Sequence, residues 1–466
     1  MSAAEDHALA GEAALLADLA AFASIPSVST DPAYAADIRR AAEWVANRMR
    51  RAGLQAVALH ETGGHPVVMG EWRHAPGAPT VLVYGHYDVQ PADPVEKWRS
   101  PAFVPEVRDD RLYARGVSDD KGPLLIPLAV AEAFMATAGR LPLNVAFLIE
   151  GEEEMGSAHL EAFVAARCDA LAADFVLSAD GAMWRADLPS VTVASRGICT
   201  VELTLHGASK DLHSGRHGGS APNPLAGMAR LVASLHDARG RVAVAGFYDG
   251  VTRPPSDALA AIPFDEAAYL AEIGAAGPGG EDGLPLLARQ WSEPTLEPNG
   301  LWGGYAGPGS KTVIPAEAHL KLSCRLVPGQ RPRRIQQAVA AHLQAHCPPA
   351  FRLEVSLPDH LAEPYAIRAD HPALVVAEDV LAEVLGRRPM RVSMGATIPV
   401  AEVFQRVLGL DTVFFSFSTT DEDYHAPNEF FRLSSLRAGL RAWVRCWERL
   451  GRLDARIFVT GSVANS

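Results

Sequence analysis

Short runs of consecutive apolar residues alternate with amphipathic stretches over the first part of the chain, and the two patterns predict different elements. Residues 80–84 and 141–149 are short, mostly apolar runs, as strands buried on both faces of a sheet are, and 174–178 repeats the pattern. Residues 36–53 have apolar positions at helical spacing and stop at a glycine; 122–139 predicts a longer apolar helix. Strands alternating with helices imply an α/β layer with a mostly parallel sheet. The opening segment carries Glu5 and Asp6 and no basic region ahead of its apolar positions, so it predicts an amphipathic helix rather than a signal peptide.

The pattern changes near Ser190. Within 191–207, Thr200-Val201-Glu202-Leu203-Thr204-Leu205 alternates strictly, the mark of a strand with one solvated face. A helix is expected over 224–236, a strand over 318–326 and a helix over 332–345, while 246–309 is rich in Pro and Gly with weak periodicity. Near Pro364 the α/β character returns, with a helix over 371–385, a strand over 412–417 and a C-terminal helix over 434–450. The economical organisation is one discontinuous α/β domain, residues 1–194 and 363–466, interrupted by a smaller α+β domain at 195–362. No internal repeat is visible.

Composition narrows the class. The chain has 466 residues, more than one ordinary core accommodates, and its 48% apolar and 21% charged content fits a globular protein. A net charge of −13 discourages nucleic-acid and anionic-membrane partners, both of which need a cationic face. The five cysteines (168, 199, 324, 347 and 446) are scattered, with no C-x-x-C pair, which favours a reducing cytoplasm over a disulfide framework. No stretch holds the roughly 18 uninterrupted apolar residues of a membrane span. A soluble, cytoplasmic protein is expected.

Five segments put acids or histidines at or just beyond the ends of apolar strands, where an α/β fold collects its ligands. In VLVYGHYDVQP, His86 and Asp88 lie two apart and point the same way if the strand persists, which suits a ligating imidazole held by a carboxylate. Asp119 and Asp120 precede the long helix; Asp120 reads equally well as a helix cap, and Asp119 is the candidate for a carboxylate bridging two metals. In LNVAFLIEGEEEMGS, Glu150, Glu152, Glu153 and Glu154 follow a buried strand, and such crowding repels itself unless a cation neutralises it. Asp180 and His425 end the last two segments. Together they offer one shared carboxylate, two further carboxylates and two imidazoles, a donor set for two borderline divalent ions.

The blocks GHYDVQP, LYARGVSDDKGP, EGEEEMGS, DLHSGRHGG, GSKTVIPAEAHLKLSCRLVPGQ and YHAPNE resemble those of the M20 metallopeptidases, and most of all their carnosinase-like, cytosolic dipeptidase branch. The likeness runs from Ile25 to about residue 430. It implies a catalytic domain in two sequence halves with an inserted lid that also makes a homodimer. It also implies two divalent ions per subunit, zinc foremost, with manganese or cobalt as alternatives. By resemblance His86 and Asp180 hold one ion, Glu154 and His425 the other, and Asp119 bridges them across a cis peptide to Asp120. Asp88 supports His86, and Glu153 is the general base. His213 reaches the substrate carbonyl, entering the partner's site, and Thr312, Arg325 and Thr397 lie in substrate-recognition blocks. Asp120 departs from the asparagine of many relatives.

The expected reaction is hydrolysis of an amide bond in a small substrate, foremost a dipeptide. The alternatives are an N-acyl amino acid deacylase of the acetylornithine or succinyl-diaminopimelate type and, remotely, a non-catalytic binding protein. The extended GHYDVQPADPVEKWRSPAFVPEV segment and the length of the insertion favour dipeptides over N-acyl amino acids.

Overall fold

The apolar runs near 80 and 145 become the centre of a six-stranded sheet in a computed structural model that describes residues 2–254, 256–359 and 361–458. Strand Thr80–His86 pairs in parallel with Asn144–Glu150 on one side and with Phe175–Ser178 on the other. Thr412–Phe414 adds a further parallel strand beyond Phe175–Ser178. At the opposite edge Val67–Trp72 and Gln55–His60 run antiparallel, so the sheet is mostly parallel with one antiparallel edge. That edge hairpin has no counterpart in the sequence pattern. Gln55–His60 is half-exposed and its register shifts between Gln55 and Ala58, which breaks the alternation that would reveal a strand.

The strands are buried because helices cover them. Ala35–Arg51 buries Ile38, Ala42, Val45 and Met49 at three- and four-residue spacing, one face of a helix. Gly122–Ala138 and Leu433–Leu450 pack on each other, and Trp443 and Trp447 of the latter are fully buried. By length and composition Val117–Ala138 is apolar enough to cross a membrane, although no 18 of its residues run without a charge. Its charges interrupt the apolar run without lowering the average far. Most of it is buried here, as a core helix is. The N-terminal segment forms two helices rather than one, Ala3–Ala10 and Glu12–Ala23, with Gly11 between them.

The chain divides into two compact units. The first takes the described residues of 1–193, 367–392 and 403–466; the second takes 194–366 together with 393–402. In the second, four antiparallel strands lie in the order Thr295–Gly303, Glu317–Leu326, Gly197–His206, Arg352–Ser356. Alternation sends Cys199, Val201, Leu203 and Leu205 to one face, where they join Leu320, Leu322, Leu231 and Val339 in a core with the helices Pro224–Ser234 and Pro332–His346. Thr295–Gly303 falls inside the Pro- and Gly-rich stretch; the register slips between Pro298 and Gly300, which hides its period in the sequence. All five cysteines are free thiols.

Candidate metal centre

Parallel pairing aligns the strand ends that carry the candidate ligands. His86 is the last residue of its strand and lies opposite Glu150, and Tyr84 lies opposite Ser178, two residues before Asp180. The segment after Glu150 leaves that same strand end and carries Glu154 to Asp119 and His425. Asp119 arrives from the turn that opens the Gly122–Ala138 helix, and its peptide bond to Asp120 is cis. His425 sits in the loop after Thr412–Phe414 with a left-handed backbone, φ 62°.

Two groups of donor atoms result. His86, Asp119 and Asp180 form one and Asp119, Glu154 and His425 the other, with the ligand atoms of each group all within 4.8 Å of one another. His86 Nε2 lies 3.0 Å from Asp119 Oδ1 and 4.0 Å from Asp180 Oδ1. His425 Nε2 lies 2.9 Å from Asp119 Oδ2 and 3.0 Å from Glu154 Oε2. Each oxygen of Asp119 thus faces a different imidazole, and Asp119 is the member common to both groups.

Asp88 is fully buried beneath these residues. His86 Nδ1 lies 3.0 Å from its carbonyl oxygen and 3.4 Å from its Oδ1. The Asp88 carboxylate also accepts the backbone N–H groups of Glu153 (3.3 Å) and Glu154 (3.1 Å), one on each oxygen. One side chain therefore orients the imidazole and the Glu153–Glu154 turn together. The four acids of that segment separate. Glu150 takes the Tyr84 hydroxyl at 2.8 Å, Glu152 faces His159 and the backbone of His65, and only Glu153 and Glu154 turn to the centre. Gln90, which the sequence did not mark, donates to Glu154 Oε2 at 2.8 Å.

Asp120 points away from both groups. Its Oδ2 accepts the His86 backbone N–H at 3.2 Å, an approach that needs the bare Gly85, where a Cβ would stand 2.6 Å from that oxygen. Its Oδ1 is buried with no hydrogen-bond partner among the described residues, and burial holds its carboxyl well above the usual range. Glu429, four residues beyond His425, is likewise unmarked by the sequence pattern, yet it is completely buried against the turn that carries Asp119.

The electrostatics suit a cation. Burial opposes ionisation of Asp119, but hydrogen bonds from His425 and His86 outweigh it and hold its carboxyl below the ordinary range. Burial also opposes charge on His86; hydrogen bonds to Asp119 and Asp88 and the charge of Asp180 overcome it and raise that imidazole well above its usual value. His425 is raised to about 10 by its bonds to Asp119 and Glu154. Asp180 is raised to about 6, chiefly by burial. The protons on the imidazoles stand where divalent cations would, and ligation requires them to leave. Loading zinc at pH 7 should therefore release protons, and affinity should climb as pH rises. Calorimetric titration in buffers of different ionisation enthalpy measures that release; heats independent of the buffer would contradict it.

The remaining candidates lie in the second unit. His213 is exposed and caps the short Ser214–His217 turn: its Nδ1 accepts the Gly215 N–H at 3.0 Å, which leaves the proton on Nε2. The Thr312 carbonyl accepts the Ser214 N–H at 3.0 Å, next to the Leu212–His213 and Val313–Ile314 pairing. Arg325 donates to Thr397 Oγ1 at 2.8 Å, so two residues 72 apart in sequence meet. No carboxylate pairs with Arg325 among the described residues. Arg196, which the sequence did not mark, donates to the carbonyl of Gly395 at 2.6 Å; burial, with the nearby positive charge of Arg325 adding to it, lowers its guanidinium to about 10.

A mostly parallel α/β unit with two carboxylate–imidazole groups at its strand ends defines a candidate metal-dependent hydrolase. The chain belongs to peptidase family M20/M25/M40, whose family model matches residues 82–449. It is 32% identical to a Beta-Ala-His dipeptidase of Homo sapiens, over 78% of this chain and 73% of that protein. It is 29% identical to the Cys-Gly metallodipeptidase dug1 of Schizosaccharomyces pombe, over 90% of this chain and 91% of the relative. Among solved structures, human carnosine dipeptidase 1 superposes with a TM-score of 0.74 at 28% identity, covering 97% of this chain and 98% of that one. The M20 family metallo-carboxypeptidase Sso-CP2 from Sulfolobus solfataricus gives 0.80 at 28% identity, covering 94% and 99%.

Proposed function

We propose that this chain hydrolyses dipeptides with two divalent metal ions held by His86, Asp119, Asp180, Glu154 and His425. The observation that carries the reading is the pair of three-residue groups sharing Asp119, with the relatives' names pointing to dipeptides. Carboxylate oxygens and imidazole nitrogens are the donor types that zinc, manganese and cobalt accept, and zinc is the first choice. When bound, two such ions would acidify the attacking water and polarise the scissile carbonyl.

The chain's own residues supply the rest. Glu153 belongs to neither group yet sits beside both. Burial and the negative charges of Asp180, Asp119 and Glu154, against the opposing pull of His86, raise its carboxyl well above the usual range. It takes the proton of the attacking water and delivers it to the leaving amine. His213, whose Nε2 carries the proton, donates to the oxyanion. Arg325, held by Thr397 and free of a carboxylate partner among the described residues, receives the substrate's terminal carboxylate; its planar fork suits that group better than a lysine would. Thr312 steadies the His213 turn through its carbonyl. The working form is a cytoplasmic two-fold homodimer in which His213 of each chain completes the partner's site.

The test is a hydrolysis panel after reconstitution with zinc, manganese or cobalt. Dipeptides should be cleaved well ahead of N-acyl amino acids. Preference for N-acyl amino acids would move the chain to the deacylases, and preference for longer peptides towards the carboxypeptidase relative. Shared sites have their own signature. Chains with His213→Ala and chains with Glu153→Ala should each be nearly inactive. Mixed at random, they should recover about a quarter of wild-type activity, because half the dimers are mixed and one of their two sites is whole. No recovery after demonstrated subunit exchange would place His213 in its own chain's site.

A further inference from the structure

Glu429 stands outside the named ligands and is tied to two of them. This side chain is 1% exposed, and its two oxygens accept four donors, all from one turn of the chain. Oε2 takes the Arg115 guanidinium at 2.7 Å and the Gly116 N–H at 2.8 Å. Oε1 takes the Ser118 N–H at 2.9 Å and the Asp119 N–H at 3.2 Å. Arg115 is itself fixed, donating through Nε and Nη2 to the carbonyl of Pro91. The same loop carries His425, and Asn428 beside Glu429 clasps a second stretch, accepting the Arg99 N–H at 2.8 Å and donating to the Lys97 carbonyl at 3.0 Å.

These contacts join two segments far apart in sequence. Asp119 and His425 come from separate loops, and their contact at 2.9 Å needs those loops held in one register. Glu429 spans them at Asp119 itself: its backbone belongs to the His425 loop and its carboxylate is bonded to the backbone of Asp119, while Glu422 and Ser418 of the same loop bond the neighbouring Ser118 at 2.7 and 2.6 Å. Full satisfaction by four donors also explains how a carboxylate stands buried there without a metal of its own.

We propose that Glu429 is a positioning residue which sets the distance between Asp119 and His425, and thereby the affinity of the Asp119–Glu154–His425 group for its metal. The inference rests on the two-metal reading and deepens it. The group of His86, Asp119 and Asp180 shares only Asp119 with the clamp, so it should suffer less. Charge and shape both matter. In Glu429→Gln an amide NH₂ would replace one oxygen and face two donors, so at least two of the four bonds fail.

The experiment is calorimetric titration of the full-length, chelator-stripped protein with zinc ion alone, alongside thermal unfolding of the metal-free form. Wild type should bind two ions. Glu429→Gln should keep one near wild-type affinity and weaken the other by about 10–100-fold, the usual cost of removing an outer partner of a ligand. Glu429→Asp retains the charge one methylene short and should fall between; it carries the test if the glutamine variant does not fold. Leu436→Ala, in the buried face of the C-terminal helix, serves as a control that lowers the unfolding temperature with both affinities unchanged. Two ions bound with wild-type affinity in both Glu429 variants would overturn the proposal. So would equal weakening of both ions, or weakening matched by Leu436→Ala, since either outcome means a general loss of structure. Fewer than two ions in the wild type would instead overturn the two-metal reading itself.

Discussion

Asp119→Ala should leave the chain without either metal ion and without activity. Asp119 is the only residue common to both donor groups, and its two oxygens face different imidazoles at 3.0 and 2.9 Å. Its removal takes one ligand from each group at once. The loss in affinity at both should exceed the roughly 10–100-fold cost of removing an outer partner. The substitution also takes away the hydrogen bonds that raise His86 and His425, so both imidazoles should titrate closer to their ordinary range. His86→Ala and His425→Ala give the comparison, for each belongs to one group and should weaken mainly one ion. Elemental analysis after dialysis reads the outcome. Two tightly held ions in Asp119→Ala would mean that the bridge lies elsewhere.

Glu153→Gln should lower kcat by about 10²–10⁴-fold with metal content unchanged, the loss expected when a proton-transferring group is removed. Position separates it from its neighbour. The N–H groups of Glu153 and Glu154 bind opposite oxygens of Asp88, yet only Glu154 has an oxygen against His425 and membership of a donor group. Glu154→Ala should therefore lose an ion, chiefly from the His425 group, where Glu153→Gln loses none. Metal analysis beside steady-state kinetics on a dipeptide distinguishes the two. Metal loss in Glu153→Gln with retention in Glu154→Ala would show that the adjacent pair has exchanged roles.

The sequence by itself determined the residue types and the strand ends on which they stand. Short apolar runs suit strands buried on both faces, and parallel strands deliver the loops at their C-terminal ends to one edge of a sheet. His86, Asp180 and the acids after Glu150 could be placed near one another on that ground alone. The four-stranded sheet of the second unit was partly legible for a related reason: alternation survives wherever one face is buried, as in Gly197–His206 and Glu317–Leu326.

The tertiary structure decided whatever depends on contacts between distant segments, because local periodicity carries no record of a partner. Four acids in five residues look equivalent by pattern alone, and it is the family resemblance that singles out Glu153 and Glu154; the structure shows why, since Tyr84 and His159 claim the other two. Asp88 reads as support for one histidine and in fact also fixes the backbone of both glutamates. Arg325 and Thr397 belong to blocks with no visible relation until one donates to the other. Glu429 ends a motif as an unremarkable acid, and its burial against the Asp119 turn comes from packing of loops more than 300 residues apart. The edge strand Gln55–His60 was hidden for the opposite reason. It is half-exposed on a sheet margin, where burial imposes too little pattern on the residues to show through.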